Sequence, residues 1–183
     1  AAWYQTLQTS LQREAATAAR NEALVQRLAL VIDGVTELIQ LRNPQAMLER
    51  AARILEPVIP HQGYLARSGD LRVHLGEGSR EQLETLAARV TEQGLPLLLE
   101  SPHRLAVPLL SDQGPQGALV LERTETAFTR EDQDILAVLS YQLGAAIVSA
   151  KLYAELTKTH AALRDSQAQL MQSSKMAAVG QLA

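Results

Sequence analysis

Residues 104–132 read RLAVPLLSDQGPQGALVLERTETAFTRED, and the run-turn-run pattern in them decides the fold. Residues 104–110 and 117–123 are apolar runs of strand length, rich in Leu and Val. Between them, Ser111-Asp112-Gln113-Gly114-Pro115-Gln116 concentrates residues that turn the chain. Two such runs across a turn predict paired antiparallel strands. Thr129 with Asp132 three residues later predicts a capped helix start. No stop signal interrupts that helix down to Ala183, so unbroken it spans about 80 Å at 1.5 Å per residue. A lone globular core cannot cover such a length, and something else must pack against it.

Working upstream, Pro96 opens a short strand through residue 100, at a sheet edge because of its proline. Ser79-Arg80-Glu81-Gln82 reads as a capping box for a helix carrying Leu83, Leu86, Ala87 and Val90, with Gly94 placed to end it. Residues 63–67 and 71–75 around Ser68-Gly69-Asp70 predict a hairpin. Asn43-Pro44 starts another helix, whose apolar face is Ala46, Met47, Ala51, Ile54, Leu55 and Val58. From Tyr4 to Leu41 the chain lacks proline and favours helix. There Leu24, Leu28, Val31, Val35 and Leu38 step by four and three, an a/d seam. Leu7, Leu11, Ala15 and Ala18 form a second stripe out of phase with it. Gly34 inside this helix costs about 1 kcal/mol relative to alanine.

The expected fold is α+β: an antiparallel sheet flanked by helices, with long coiled-coil-like helices at both ends. Residues 1–42 form the first helical segment, 43–152 the domain and 153–183 the closing linker.

Composition narrows the function. The chain has 183 residues, one Trp, one Phe and four Tyr, so its core is built from Leu, Val, Ile and Ala. Net charge is −3 with acids and bases interspersed, which gives no nucleic-acid steering. There is no cysteine, which removes disulfides, thiolate metal sites, cysteine nucleophiles and thioether-linked chromophores. No uninterrupted apolar run is long enough for a membrane span. The expectation is a cytoplasmic segment of a longer protein. Trp3 and Tyr4 also suit the end of a preceding membrane anchor, since both residues favour the interface.

Leu105-Ala106-Val107-Pro108-Leu109, Gly117-Ala118-Leu119-Val120-Leu121 and Phe128-Thr129-Arg130-Glu131-Asp132 resemble the second half of a GAF domain, a PAS-like fold. The stretch from Ile135-Leu136 through Gln142-Leu143-Gly144-Ala145-Ala146-Ile147 to Tyr153-Ala154-Glu155-Leu156 is similar to that family's closing helix. The resemblance covers roughly residues 43–156. Two departures accompany it: little chain lies between Gly94 and Arg104, where ligand-binding relatives carry a lid, and the cyclic-nucleotide signature is missing. Together they imply a small or vestigial pocket.

The four histidines, His61, His74, His103 and His160, lack a second ligand at metal spacing, and no glycine loop has phosphate-cradling spacing. Neither a catalytic residue, a metal site nor a bound cofactor is expected. The family's ligand side implies a non-covalent small-molecule pocket under the 79–93 helix, for which Tyr64, His74, His103 and Arg104 are the polar candidates. Whether His74 and His103 meet across the sheet is left open by the sequence. His160, in Thr157-Lys158-Thr159-His160-Ala161, lacks a following acidic residue and is expected at a seam or surface.

Beyond Tyr153, Leu156, Leu163, Leu170 and Ala177 repeat every seven, with Tyr153, His160, Gln167 and Ser174 at the companion position. Polar residues at such positions set register at a cost in stability. The expected partner is a second copy, in parallel, with Leu24, Leu28, Val31, Val35, Leu38, Leu156, Leu163 and Leu170 as the dimer seam. Lys175-Met176-Ala177-Ala178-Val179-Gly180-Gln181-Leu182-Ala183 resembles the entry to the dimerisation helix of sensor histidine kinases. This resemblance implies a phosphoacceptor histidine and kinase core a little further along the parent chain, a transferase of a two-component system. The chain is then its sensory and signal-transmitting segment. Two alternatives stand beside that reading: a GAF regulator of another output such as a nucleotide cyclase, and a ligand-free GAF dimerisation module.

Overall fold

The computed structural model describes residues 2–100 and 103–180, with side chains over 8–100 and 103–176. The side chains of Trp3, Tyr4, Leu7, Ala177 and Val179, and all of Leu182, lie outside the described residues. The elements are α1 (Ala2–Gln40), α2 (Pro44–Leu55), β1 (Gly63–Ser68), β2 (Leu71–Gly76), α3 (Arg80–Gln93), β3 (Leu97–Glu100), β4 (His103–Ser111), β5 (Gly114–Arg123) and α4 (Arg130–Gly180). The five strands form one sheet in the order β2-β1-β5-β4-β3, with every pairing antiparallel.

Both faces of this sheet are covered, which explains why its central strands read as continuous apolar runs rather than alternating ones. On one face Tyr64, Ala66, Leu105, Val107, Leu109, Leu119 and Leu121 pack against α1, α2 and α4. On the other, Leu65, Ala106, Ala118 and Val120 meet Leu83, Leu86, Ala87 and Val90 of α3. Pro108 sits in β4 beyond Ala106, the last residue that β3 pairs, so its missing N–H interrupts no ladder on that side. The β4–β5 connection is tighter than the six residues expected. The strands continue to Ser111 and Gly114, and a bulge at Leu109/Leu110 absorbs the extra residue.

Asn43 caps α2 as expected, its side chain accepting from the Gln45 and Ala46 amides. Gly94 ends α3 in the left-handed conformation. Ser79 precedes α3 without making a side-chain cap bond, so the expected capping box is not formed. The box at α4 is formed in full: Asp132 N donates to Thr129 Oγ1 at 3.1 Å and Thr129 N donates to Asp132 Oδ2 at 2.9 Å. Gly34 lets α1 lie on α2, because a Cβ there would meet the Ile54 side chain at 2.7 Å.

The first helix changes the expected domain division. Val31, Val35 and Leu38 are buried in the chain's own core, with Leu24 and Leu28 packed against it. The α1 half of the expected dimer seam is therefore occupied within the chain. The reason is geometric: α1 lies along α2 and α4, and its four-three stripe fits their groove as well as it fits a second coil. Structurally, the break falls inside α1 near residue 24 and not at residue 42.

Helices α1 and α4 run parallel. Arg20 pairs with Glu131, and Arg42 lies over the Tyr153 ring at 4.6 Å, both pairs being 111 residues apart in sequence. Residues 8–23 of α1 and 151–176 of α4 are exposed throughout, so α1 projects from one end of the domain and α4 from the other. One 18-residue window of α4 is apolar enough to cross a bilayer, with mean hydropathy 1.6. This helix nonetheless uses Ile135, Leu136, Leu139, Leu143 and Ile147 to cover the sheet.

Candidate functional site

Two buried charge clusters stand out. The first lies under α3. Arg104 of β4 pairs across the ladder with Glu122 of β5, a register that sets their side chains beside each other on the α3 face. Their side chains are 11% and 12% exposed, and the guanidinium bonds the Glu122 carboxylate. Its Nη2 also donates to Gln82 Oε1 of α3 at 2.6 Å. A buried guanidinium needs such partners, because leaving it unpaired costs several kcal/mol. Beside it opens a cleft of about 470 Å³, lined by Arg104, Gln82, Thr85, Arg89, Leu86 and Leu99 together with Ser79 and Glu81. That volume lies within the range of small-molecule pockets, on the order of 300–1,000 Å³. The lining offers two cations, two hydroxyls and one carboxylate, Glu81, beside two leucines, so with the cations in excess it suits a small anion with an apolar portion.

Only Arg104 of the four expected pocket residues reaches this cleft. Tyr64 points to the opposite face, where its hydroxyl donates to the Leu48 carbonyl at 2.7 Å and burial pushes its pKa up. It braces α2 to the sheet and lies away from this cleft. His74 faces the α3 side but on β2, three strand spacings from β4, about 14 Å away. His103, next to Arg104 in the strand, points to the α4 side by simple alternation. His74 and His103 therefore do not meet. His74 Nε2 and His103 Nδ1 are buried without a hydrogen-bond partner among the described residues. His160 lies on the exposed part of α4. No group of three or more acidic or histidine side chains is close enough to hold a metal among the described residues. Sequence reasoning missed Gln82, Arg89 and Glu122. Glu122 was legible only through the β4–β5 register, and Gln82 was assigned to a cap.

The second cluster lies at one end of the domain, where α1 passes the start of α4. Asp132, at the start of α4, receives Arg27 of α1 on Oδ1 and Arg123 of β5 on Oδ2, the latter at 3.0 Å. Arg27 Nε also donates to the Val58 carbonyl at 2.9 Å, and Arg123 stacks on Phe128 at 4.1 Å. Burial raises the Asp132 pKa, but the Thr129 amide and the two arginines outweigh it and hold the carboxyl below its ordinary value. The cluster thus ties both terminal helices and the sheet to one carboxylate.

An antiparallel sheet with both terminal helices on one face, and one short helix over a charged cleft on the other, defines a three-layer α+β module. The chain belongs to the GAF domain family, whose pattern it matches over residues 6–147. The match takes in most of α1, as the packing of Val31, Val35 and Leu38 requires. The GAF domain of a protein described as a sensor histidine kinase from Pseudomonas syringae pv. tomato is 25% identical, with TM-score 0.60, over 78% of this chain and 99% of that one. The GAF domain of a phosphoenolpyruvate-protein phosphotransferase from Coxiella burnetii is 18% identical, with TM-score 0.58, over 72% of this chain and 98% of that one. A free methionine-R-sulfoxide reductase from Neisseria meningitidis is 13% identical, with TM-score 0.54, over 71% and 93% of the two chains. The last two show the fold alone. No curated protein matches the chain.

Proposed function

We propose that this GAF module is the sensory and dimerisation segment of a cytoplasmic two-component sensor histidine kinase. It performs no chemistry itself and passes a signal along α4 to a kinase core of the same chain. The observation that carries this reading is the parallel, in-register course of α1 and α4, with their free ends at opposite poles of the domain. A displacement at one pole or in the cleft is then delivered at the other through a helix that shares the core. The histidine-kinase resemblance of residues 175–183 and the likeness to the Pseudomonas syringae domain favour a kinase over a cyclase as the output. The test is ATP-dependent phosphorylation of the intact parent protein. Phosphohistidine within about two turns beyond Ala183 is expected; another catalytic domain at that position assigns the module to a different output.

A ligand-free role is the second reading, favoured by one observation: Arg104 already has Glu122 and Gln82 as partners. Melting curves with small carboxylates and phosphates separate the two, because a ligand of the folded state raises the transition. A rise abolished by Arg89→Ala supports the cleft as a sensor; no rise with any of them supports the dimerisation module.

A further inference from the structure

Strand β2 lies at one edge of the sheet and pairs with β1 alone. The Arg72 carbonyl accepts from Gln45 Nε2 of α2 at 3.4 Å, which turns that carbonyl away from β1. Ladder alternation then turns the backbone N–H and C=O of His74 outward as well. Among the described residues nothing bonds them. Such a free edge is a template for another strand. Two cavities of about 300 and 200 Å³ lie between this edge and α2, and Arg53 and Leu75 line both, so they form one groove. From Arg72 to Gly76 the edge runs about 14 Å at about 3.4 Å per residue, enough for a short extended segment.

The two sides of the edge differ in charge. On the α3 side, Arg67 and Arg72 stand directly opposite each other in the β1–β2 ladder. Like charges so placed cost stability. Arg67 has no ion-pair or hydrogen-bond partner among the described residues, and Arg72 reaches only the Gly69 and Leu71 carbonyls. Arg80 of α3 donates to Glu84 at 2.9 Å. That bond outweighs desolvation and, with the fields of Arg80, Arg72 and Arg67, holds the Glu84 carboxyl below its ordinary value. Three guanidiniums thus share one carboxylate. Asp70 in the turn and Glu77 past Gly76 are exposed, and neither bonds any of the three. His74, on the same face, keeps its Nε2 buried without a partner. On the α2 side, the groove wall has one cation, Arg53, against Glu49 and Glu56, with Leu75 exposed between helix and strand.

We propose that the β2 edge takes an extended acidic segment of a partner protein as an added antiparallel strand. Its carboxylates, at alternate positions, face Arg67, Arg72 and Arg80, and the residues between them are apolar and cover Leu75. The site shares no residue with the cleft beside Arg104. A second copy of this chain fits the edge poorly. Antiparallel self-pairing about His74 sets Arg72 across from the partner's Gly76 and puts a second Arg67–Arg72 pair on the same face.

The test is fluorescence anisotropy of a labelled peptide of about seven residues alternating Asp and Val, titrated with the whole chain. Binding is expected, and Arg67→Gln/Arg72→Gln is expected to weaken it about tenfold while melting holds or rises. Residues paired with Arg72 and His74 present side chains on the α3 side and their N–H groups to β2. N-methylation of the aspartates is therefore expected to cut affinity at least about tenfold, and N-methylation of the valines to change it little. His74→Pro, which removes an outward N–H where an edge strand tolerates proline, is expected to abolish binding. No binding up to about 1 mM chain overturns the site. Equal affinity for a Lys-Val peptide, or for the double glutamine variant, overturns the acidic partner. Affinity that survives N-methylation of the aspartates overturns strand addition. Self-association abolished by His74→Pro makes a second copy the occupant and overturns the proposal.

Discussion

The Asp132 cluster and the Arg104 cluster are both buried arginine–carboxylate sites, yet they are built for different purposes. Asp132 is surrounded: its two oxygens take Arg27, Arg123 and the Thr129 amide, from three separate segments of chain. Arg104 has one carboxylate and one amide side chain for partners, and an open cleft on its remaining side. A closed cluster couples elements, whereas an open one leaves donors facing solvent and any solute that enters. The difference teaches where rigidity and responsiveness are divided in the module: at the pole where α4 begins the terminal helices are locked to the sheet, and the α3 side is left open.

The comparison breaks most sharply at Asp132. Asp132→Ala leaves Arg27 and Arg123 facing each other without a counter-charge, and is expected to cost about 3 kcal/mol in urea unfolding. The same carboxylate gives a pH signature. Its pKa is lowered on folding, so its contribution is present above about pH 4, the ordinary carboxylate value. It is lost as pH falls through the lower folded value. Stability measured from pH 6 down to pH 2 is therefore expected to fall less steeply in Asp132→Asn than in the parent.

At the open cluster, Arg104→Ala is expected to cost about 2 kcal/mol by stranding Glu122. The Arg104→Met/Glu122→Met double variant is expected to lie within about 1 kcal/mol of the parent, since replacing both charges by apolar groups removes the desolvation cost as well. A double variant as damaged as the single one makes the cluster structural, like that at Asp132. Tyr64→Phe, away from both clusters, removes only the additional bond to the Leu48 carbonyl and is expected to cost about 1 kcal/mol with no effect on any ligand of the α3 cleft. The smallest contrast is between caps: Asn43→Ala is expected to cost about 1 kcal/mol, and Ser79→Ala almost nothing, because only Asn43 makes its bond.

The predicted sites show how far sequence reasoning reaches. Arg104 is one of four residues that polarity alone singles out. Its partner Glu122, 18 residues away, stands beside it only through the ladder register. Tyr64, His74 and His103 were grouped by polarity, but polarity does not report which face or which strand of the sheet a side chain occupies. Asp132 was read correctly as a cap. Its role in tying α1 to α4 required Arg27, 105 residues upstream, to arrive at the same oxygen pair.

The sequence by itself determined the elements and the α+β class, because caps, turns and apolar runs act over a few residues. It determined the GAF resemblance in the same local way, through the wording of β4, β5 and the start of α4. Only the tertiary structure decided which of two adjacent stripes on α1 enters the core. Leu24, Leu28, Val31, Val35 and Leu38 and their neighbours Val25, Ala29, Ile32, Thr36 and Ile39 have the same four-three spacing. A helix with two apolar stripes about 100° apart gives periodicity no means of choosing between them. The groove between α2 and α4 makes the choice, and in taking one stripe it leaves the other facing outward.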